Sequence, residues 1–197
     1  DPGGIGKALA EKARGMGAVF LKASVSRIEP SPEGNWILHT DAGQRQAKNV
    51  IIAAGAWSAR LLTPLGCKLP LEAERGYHLV FKEPGIIVNN SIMDADAKFV
   101  ASSMATGVRC AGTAEFAGLD APPDYRRAQS FIRLARNLFP NINTEDTVEW
   151  MGSRPSFPDS LPCLGEIPGK DGLFCAFGHS HYGFGMAPNT GRVMAGI

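Results

Sequence analysis

Long apolar runs, an excess of either charge and paired cysteine spacings are all missing from this sequence, and each absence closes off a class of function. Lys and Arg number 20 against 19 Asp and Glu, a net charge of +1. No basic surface therefore argues for a nucleic-acid partner, and no charge run reads as a tail. No apolar stretch reaches the roughly 20 residues that a membrane span needs. No secretory signal is visible, and the chain opens on Asp1 rather than Met, so an upstream portion is expected to be absent. Cys67, Cys110, Cys163 and Cys175 form no C-x-x-C spacing. That pattern suits reduced, buried thiols in a reducing, cytoplasmic compartment better than a disulfide framework or a zinc site. There is no internal repeat and no low-complexity tract.

What remains is an ordinary globular balance: 197 residues, 44% hydrophobic and 20% charged, long enough for one sizeable core or two small ones. The 23 glycines and 14 prolines fall between apolar segments, as turn punctuation does. Asp1-Pro2 reads as an N-cap followed by Pro at the first helical position, with Ile5, Leu9, Ala13 and Met16 on one face and Gly15 and Gly17 at the stop. Strands are expected over Val19 to Ile28 and Trp36 to Thr40, with the turn Asp41-Ala42-Gly43 following. Val50 to Gly55 reads as a strand buried on both faces, and Ser58 as the cap of a short helix ending near Gly66.

From Pro70 the texture changes. Tyr77 to Phe81, Ile86 to Met93, Lys98 to Ser103 and Val108 to Thr113 read as antiparallel strands with short connections. Pro123 to Phe139 is a helix with Phe131, Leu134, Ala135 and Leu138 on one face, ended by Pro140. Thr147 to Met151 and Leu173 to Phe177 follow as strands, the latter buried and leading into a glycine-rich turn. Met186 to Ile197 is a helix whose pattern still runs where the chain stops. Both ends read as cuts in a longer protein. The fold class expected is mixed α/β.

Four clusters carry chemistry. Ala53-Ala54-Gly55-Ala56-Trp57-Ser58 closes a buried strand with small residues, letting a backbone approach a flat or charged ligand; a close-packed turn without a ligand explains it too. Gly178-His179-Ser180-His181-Tyr182-Gly183-Phe184-Gly185 lies between a strand and a helix, where successive N–H groups form an anion-binding concavity. The bland reading is a flexible glycine loop. Metal binding at its His-x-His pair lacks acidic partners nearby, and a nucleophile elbow at Ser180 fails because Tyr182 stands where glycine is needed. Trp150-Met151-Gly152-Ser153-Arg154-Pro155 places Arg154 after a strand in a stiff loop, suited to clamping a carboxylate or to a salt bridge with Asp159. Arg75-Gly76-Tyr77-His78 lines either a polar pocket or a strand start. Gly3-Gly4-Ile5-Gly6 is a decoy, because no strand precedes it and no third glycine or acidic ribose partner follows.

Taken in order, "VIIAAGAWS" at Val50 to Ser58, "PLEAERGYHL" at Pro70 to Leu79, "AGTAEFAG" at Ala111 to Gly118, "WMGSRPSFPDSLPCLG" at Trp150 to Gly165 and "GHSHYGFGMAPNTGR" at Gly178 to Arg192 resemble the FAD-dependent D-amino-acid oxidase and dehydrogenase superfamily. Bacterial D-amino-acid dehydrogenases are the nearest in look. The resemblance covers almost the whole chain, which reads as a C-terminal part of such an enzyme.

The resemblance implies FAD as cofactor and an amino acid, D in configuration, as small-molecule substrate. Hydride would pass from the substrate's α-carbon to the flavin, and the resulting imine would hydrolyse to an oxo acid and ammonia. It implies that Val25 lies against the adenine end through its backbone and that Ala54, Gly55 and Trp57 border the cofactor. Gly178, His179, His181, Tyr182, Gly183, Phe184, Gly185 and Met186 would run along the isoalloxazine ring. Arg154 would pair with the substrate carboxylate, with Tyr77 and His78 in the substrate pocket, and no metal is implied.

It also implies a partial FAD-binding domain over 1–69, a substrate domain with a mostly antiparallel sheet over 70–149, and the rest of the FAD domain over 150–197. The family's N-terminal glycine fingerprint is not in these residues. The missing N-terminal segment of its own chain is therefore an expected partner, and the fragment alone is expected to hold FAD weakly and to be inactive. A peripheral contact with the inner membrane, through an electron acceptor, is a further implication. The rival readings are an oxidase of sarcosine- or proline-like secondary amines, a non-catalytic module derived from such an enzyme, and a metal-dependent hydrolase.

Overall fold

The computed structural model describes residues 2–197. The expected cap at Asp1 lies outside the described residues. The elements run α1 (Pro2–Gly15), β1 (Val25–Pro30), β2 (Trp36–Thr40), β3 (Gly43–Ala47), β4 (Val50–Ile52), α2 (Ser58–Leu62), β5 (Glu72–Phe81), β6 (Ile92–Asp94) and β7 (Phe99–Met104). They continue with β8 (Gly107–Ala111), β9 (Glu115–Phe116), α3 (Arg126–Leu138), β10 (Thr147–Ser156), β11 (Cys163–Glu166), β12 (Leu173–Phe177) and α4 (Gly183–Met194). The fold is mixed α/β. Two compact units emerge, an inserted one, Ala73–Ser153, and a flanking one made of Pro2–Glu72 with Arg154–Ile197.

In the inserted unit the strands follow the order β10-β5-β8-β7-β6, with β9 also on β5. Every registered pair in this sheet is antiparallel. Leu79, Phe81, Phe99, Ala101, Val108 and Cys110 turn inward, and Ala128, Phe131 and Ala135 of α3 meet them in one core. The Phe99 and Phe131 rings lie 6.0 Å apart. Burying each such large side chain stabilises the unit by about 1.5–3 kcal/mol. Pro140 follows the last turn of α3 and cannot continue the helix.

The flanking unit holds two three-stranded sheets, β1-β2-β3 and β11-β12-β4. In the first all pairs are antiparallel. In the second, β12 pairs parallel with β4 and antiparallel with β11. Ile28, Trp36, Ile52, Leu62, Leu173 and Phe177 form its core. The Trp36 indole donates to the Asp171 carbonyl at 2.9 Å, so its polar edge is satisfied as its rings are buried.

Several expectations are corrected. Residues 19–24 join no strand, and Val19, Phe20 and Leu21 are exposed. β4 buries one face only, since Ile51 is 53% exposed. The Ile86 to Met93 strand shrinks to β6. Ser58 lies inside α2 rather than capping it, and its buried hydroxyl has no partner among the described residues. β3, β9 and β11 add strands that the pattern did not announce. Among the described residues no helix is long and apolar enough to cross a membrane.

Candidate functional site

In the flanking unit a cavity of about 630 Å³ is lined by Val25, Ile28, Leu38, Ala54, Trp57 and Arg60, among others. It opens at the carboxyl end of β4, where the small residues Ala53 and Ala54 leave the backbone approachable. That is the usual place for a ligand in an α/β sheet, and the volume suits a cofactor-sized group. The chain then turns through Gly55, at φ 56, into a 3-10 turn ending at Trp57. Trp57 is 51% exposed. Val25 begins β1 beside a register shift between Val25 and Arg27. The structure thus gathers Val25, Ala54 and Trp57, named separately from the sequence, on one cavity. Arg60, three residues beyond Trp57, is a lining residue that the sequence reading passed over; its position one turn into the following helix was the available signal.

The second cluster is the turn from β12 into α4. Gly178 has φ 89, and a Cβ there would stand 2.4 Å from the Phe157 ring, so both backbone and space require glycine. Ser180 takes φ 49, an uncommon left-handed conformation for a side-chain-bearing residue. It is held there by hydrogen bonds. The Ser180 N–H donates to the Pro155 carbonyl at 2.9 Å, and the Ser156 and Ser180 hydroxyls bond at 2.9 Å. His179 Nε2 bonds the Thr190 hydroxyl of α4 at 2.9 Å, and burial pushes its imidazole pKa down, favouring the neutral ring. His181 stands next to the Tyr182 ring, 6.4 Å between centroids.

α4 begins at Gly183, earlier than the pattern of apolar residues implied, so Gly183, Phe184, Gly185 and Met186 form its first turn. No side chain caps this end. Its leading N–H groups therefore have no intrahelical acceptor, and they carry the positive end of the helix dipole. A Cβ on Gly185 would meet nothing within 4 Å, which leaves the approach to these groups open. Tyr182 and Phe184 are exposed beside them.

Arg154 lies within β10, in the flanking unit, not in a loop after a strand. Its backbone is thus fixed by a ladder rather than by proline stiffness, and its side chain is half-buried.

Tyr77 and His78 belong to β5 of the inserted unit and face different surroundings. The Tyr77 side chain is buried and its hydroxyl is fully used: it donates to Glu115 Oε2 at 2.6 Å and accepts from Arg75 Nη2 at 3.2 Å and the Asp124 N–H at 3.0 Å. Arg75, equally buried, also donates to the Pro122 carbonyl and lies 3.4 Å from Glu115 through Nε. Glu115 receives Arg127 as well, at 3.1 Å. The Tyr77 hydrogen bond, with the charges of Arg127 and Arg75, holds the Glu115 carboxyl below the usual glutamate range against the opposing effect of burial. Burial and the Glu115 hydrogen bond push the Tyr77 phenol up. The sequence offered Arg75 and Tyr77 as one cluster and Glu115 within "AGTAEFAG", but not that the three meet. His78 is half-buried and stacks on Trp150, 4.7 Å between ring centroids and 15° between planes. Burial and nearby Arg109 lower its pKa to about 4, so the ring is neutral near pH 7.

The sequence model of the family described as FAD dependent oxidoreductase (DAO) matches residues 1–197. The chain belongs to this family. Across 99% of its length it is 37% identical to a D-amino-acid oxidase of Bradyrhizobium diazoefficiens, of which it covers 47%. It is 36% identical over 81% of its length to a D-amino acid dehydrogenase of Paramagnetospirillum magneticum, covering 38% of that protein. The crystal structure of glycine oxidase from Geobacillus kaustophilus superposes with a TM-score of 0.75 at 26% identity, over 90% of this chain and 48% of that one. The chain spans about half the length, or less, of the curated relatives it matches. For a DAO-family chain the implied group is FAD, and the residues present fit part of it. The uncapped start of α4 offers donors to an electron-rich ring edge. The cavity at the end of β4 offers apolar walls. Among the described residues no strand-turn-helix succession carries the G-x-G-x-x-G spacing of a pyrophosphate cradle.

Proposed function

We propose that this chain is part of an enzyme that oxidises amino acids, D in configuration, with FAD, giving an oxo acid and ammonia. The observation carrying the reading is the pinned, uncapped start of α4, with donors and exposed aromatic side chains at one helix end, in a chain that matches the family throughout. The D configuration rests on the names of the D-amino-acid oxidase and dehydrogenase relatives. FAD, when bound, accepts hydride from the substrate's α-carbon.

The chain's own residues would do the rest. The leading N–H groups of α4, held by the Ser180 and His179 contacts, would stabilise negative charge without reorganising. Val25 would lie against the adenine end and Ala54, Gly55 and Trp57 would border the cofactor, Val25, Ala54 and Trp57 all lining the cavity at the end of β4. Arg154 would hold the substrate carboxylate, fixing the direction of the Cα–H bond; charged hydrogen bonds of this kind contribute about 1.5–3 kcal/mol. His78, neutral near pH 7, would belong to the substrate pocket, whereas the saturated Tyr77 hydroxyl would serve it only by shaping β5. The exposed apolar face of α1 and the outer edge of β4 are where the further chain found in longer relatives would pack. By the same argument these residues alone would hold FAD weakly and remain inactive.

The test is kinetic. In a protein of the relatives' full length that carries this chain, Arg154→Ala should raise KM for amino acids far more than it lowers affinity for FAD, with oxo acid and ammonia as products. Equal effects on every ligand, or no oxo acid at all, would remove Arg154 or the reaction class from the account.

A further inference from the structure

Three cysteines gather in the core of the flanking unit. Cys175 is buried there, and Cys67 and Cys163, both part-exposed, pack against the same cluster; all three are free thiols. The ladder between β11 and β12 sets Cys163 opposite Phe177 and Cys175 opposite Gly165. Cys163 and Cys175 are therefore diagonal neighbours on one face of the sheet. Their thiols hydrogen-bond. Burial, the Cys163 thiol and, least, the Cys67 thiol push the Cys175 thiol up to about 12. Cys175 thus keeps its proton and donates it to the Cys163 sulfur, which is also the sulfur nearer to solvent.

This pair lies beneath the turn into α4. A Cβ on Gly178 would stand 3.5 Å from the Cys163 backbone nitrogen and 2.4 Å from the Phe157 ring, so the end of β12 is packed without slack. Diagonal neighbours sit about 7–8 Å apart, beyond the usual span of a disulfide, so joining these two requires β11 to shift against β12. Gly178 has no room to absorb that shift, which passes into the turn that Ser180 holds through its bond to the Pro155 carbonyl.

We propose that Cys163 and Cys175 are a redox-modification site, converted by a hydroperoxide to a disulfide that loosens the turn into α4 and weakens the hold on FAD. The last consequence rests on the flavin reading above. The Cys163 sulfur, as thiolate, attacks the peroxide; the O–O bond breaks, alcohol or water leaves, and Cys163 becomes a sulfenic acid. The Cys175 sulfur then attacks the Cys163 sulfur. The S–O bond breaks, the S–S bond forms, and the departing hydroxide takes the Cys175 proton as water. Two thiols and one hydroperoxide give one disulfide, one alcohol or water, and one water. Cys175, though protonated, needs only to meet a sulfenic acid already in contact with it. Dithiol reductants reverse the modification.

The experiment treats a protein of the relatives' full length that carries this chain with hydrogen peroxide, then with dithiothreitol. Tryptic cleavage after Lys170 separates the two cysteines, so the disulfide appears as two peptides joined through Cys163 and Cys175. Oxidation should also speed hydrogen exchange across 178–183 and cause loss of bound FAD, with dithiothreitol restoring both. Cys163→Ala and Cys175→Ala should abolish all three responses, whereas Cys67→Ala should keep them. Thermal melts before oxidation verify that the variants fold, and the joined peptide in wild type needs no variant. Sulfinic acid at Cys163 without a joined peptide, a link through Cys67 instead, or a link that leaves either exchange or FAD retention unchanged overturns the proposal. A protein that binds no FAD in either redox state sinks the flavin reading, and the joined peptide and the exchange rates then decide this inference on their own.

Discussion

Two helices with similar sequence patterns have opposite fates. α3 buries Ala128, Phe131 and Ala135 within the inserted unit. α1, with Ile5, Leu9 and Ala13 at helical spacing, buries none of its residues, and Leu9 is 57% exposed. Periodicity reports which face of a helix prefers to leave water; it does not report whether a surface is there to receive it. The sheets repeat the contrast. The inserted unit closes one core between sheet and helix. The flanking unit leaves Ile51 exposed on β4, an end strand of its sheet.

The contrast is sharpest in stability. Phe131→Ala should destabilise the inserted unit by about 3–5 kcal/mol, read as a lower urea midpoint, because a fully buried ring leaves a cavity. A smaller loss, about 1–3 kcal/mol, is expected for Tyr77→Phe, which takes one partner each from Arg75 and Glu115 and removes the acceptor of the Asp124 N–H. A loss near zero there would mean that water replaces the hydroxyl.

pH probes the same unit. The folded pKa of His78 lies near 4, below its ordinary 6.5, so its contribution is in place above 6.5 and is lost as the pH falls toward 4. Glu115 is depressed too, so its contribution persists to lower pH and fades only as the pH drops through its lowered pKa. Urea titrations between pH 7 and 4 should show falling stability, and His78→Phe should flatten the upper part of that slope. A wild-type midpoint independent of pH would contradict the neutral, stacked imidazole. The smallest effect belongs to α1: Leu9→Ser should shift the chain's stability by no more than about 0.5 kcal/mol. A loss there comparable to that of Phe131→Ala would erase the contrast between the two helices.

What was legible in the sequence follows the same physics. β12 was readable because it buries alternate side chains, β2 because Trp36 and Leu38 pack on the core, and α3 because its stripe meets a core. β3, Gly-Gln-Arg-Gln-Ala, has no apolar stripe, and only its ladder with β2 makes it a strand. Val19, Phe20 and Leu21 have the composition of a strand but no partner in a ladder. At the candidate site, the 53–58 segment and the turn before α4 were named from small residues and glycines, and Val25 from the family resemblance alone; Val25, Ala54 and Trp57 line one cavity. The locking contacts of Ser156, Ser180 and Thr190, the Arg75–Tyr77–Glu115 network and the Trp150 stack join positions far apart in sequence or hidden by spacing, and only the folded chain brings them together.

The most direct test of the account is a visible spectrum of a protein of the relatives' full length that carries this chain, recorded before and after anaerobic addition of D- and L-amino acids. The account predicts a flavin spectrum bleached by D-amino acids and left intact by L-amino acids, with Arg154→Ala shifting the bleaching to much higher substrate concentration. A protein that shows no flavin spectrum even after FAD is added would contradict it, and would leave the family resemblance as ancestry alone.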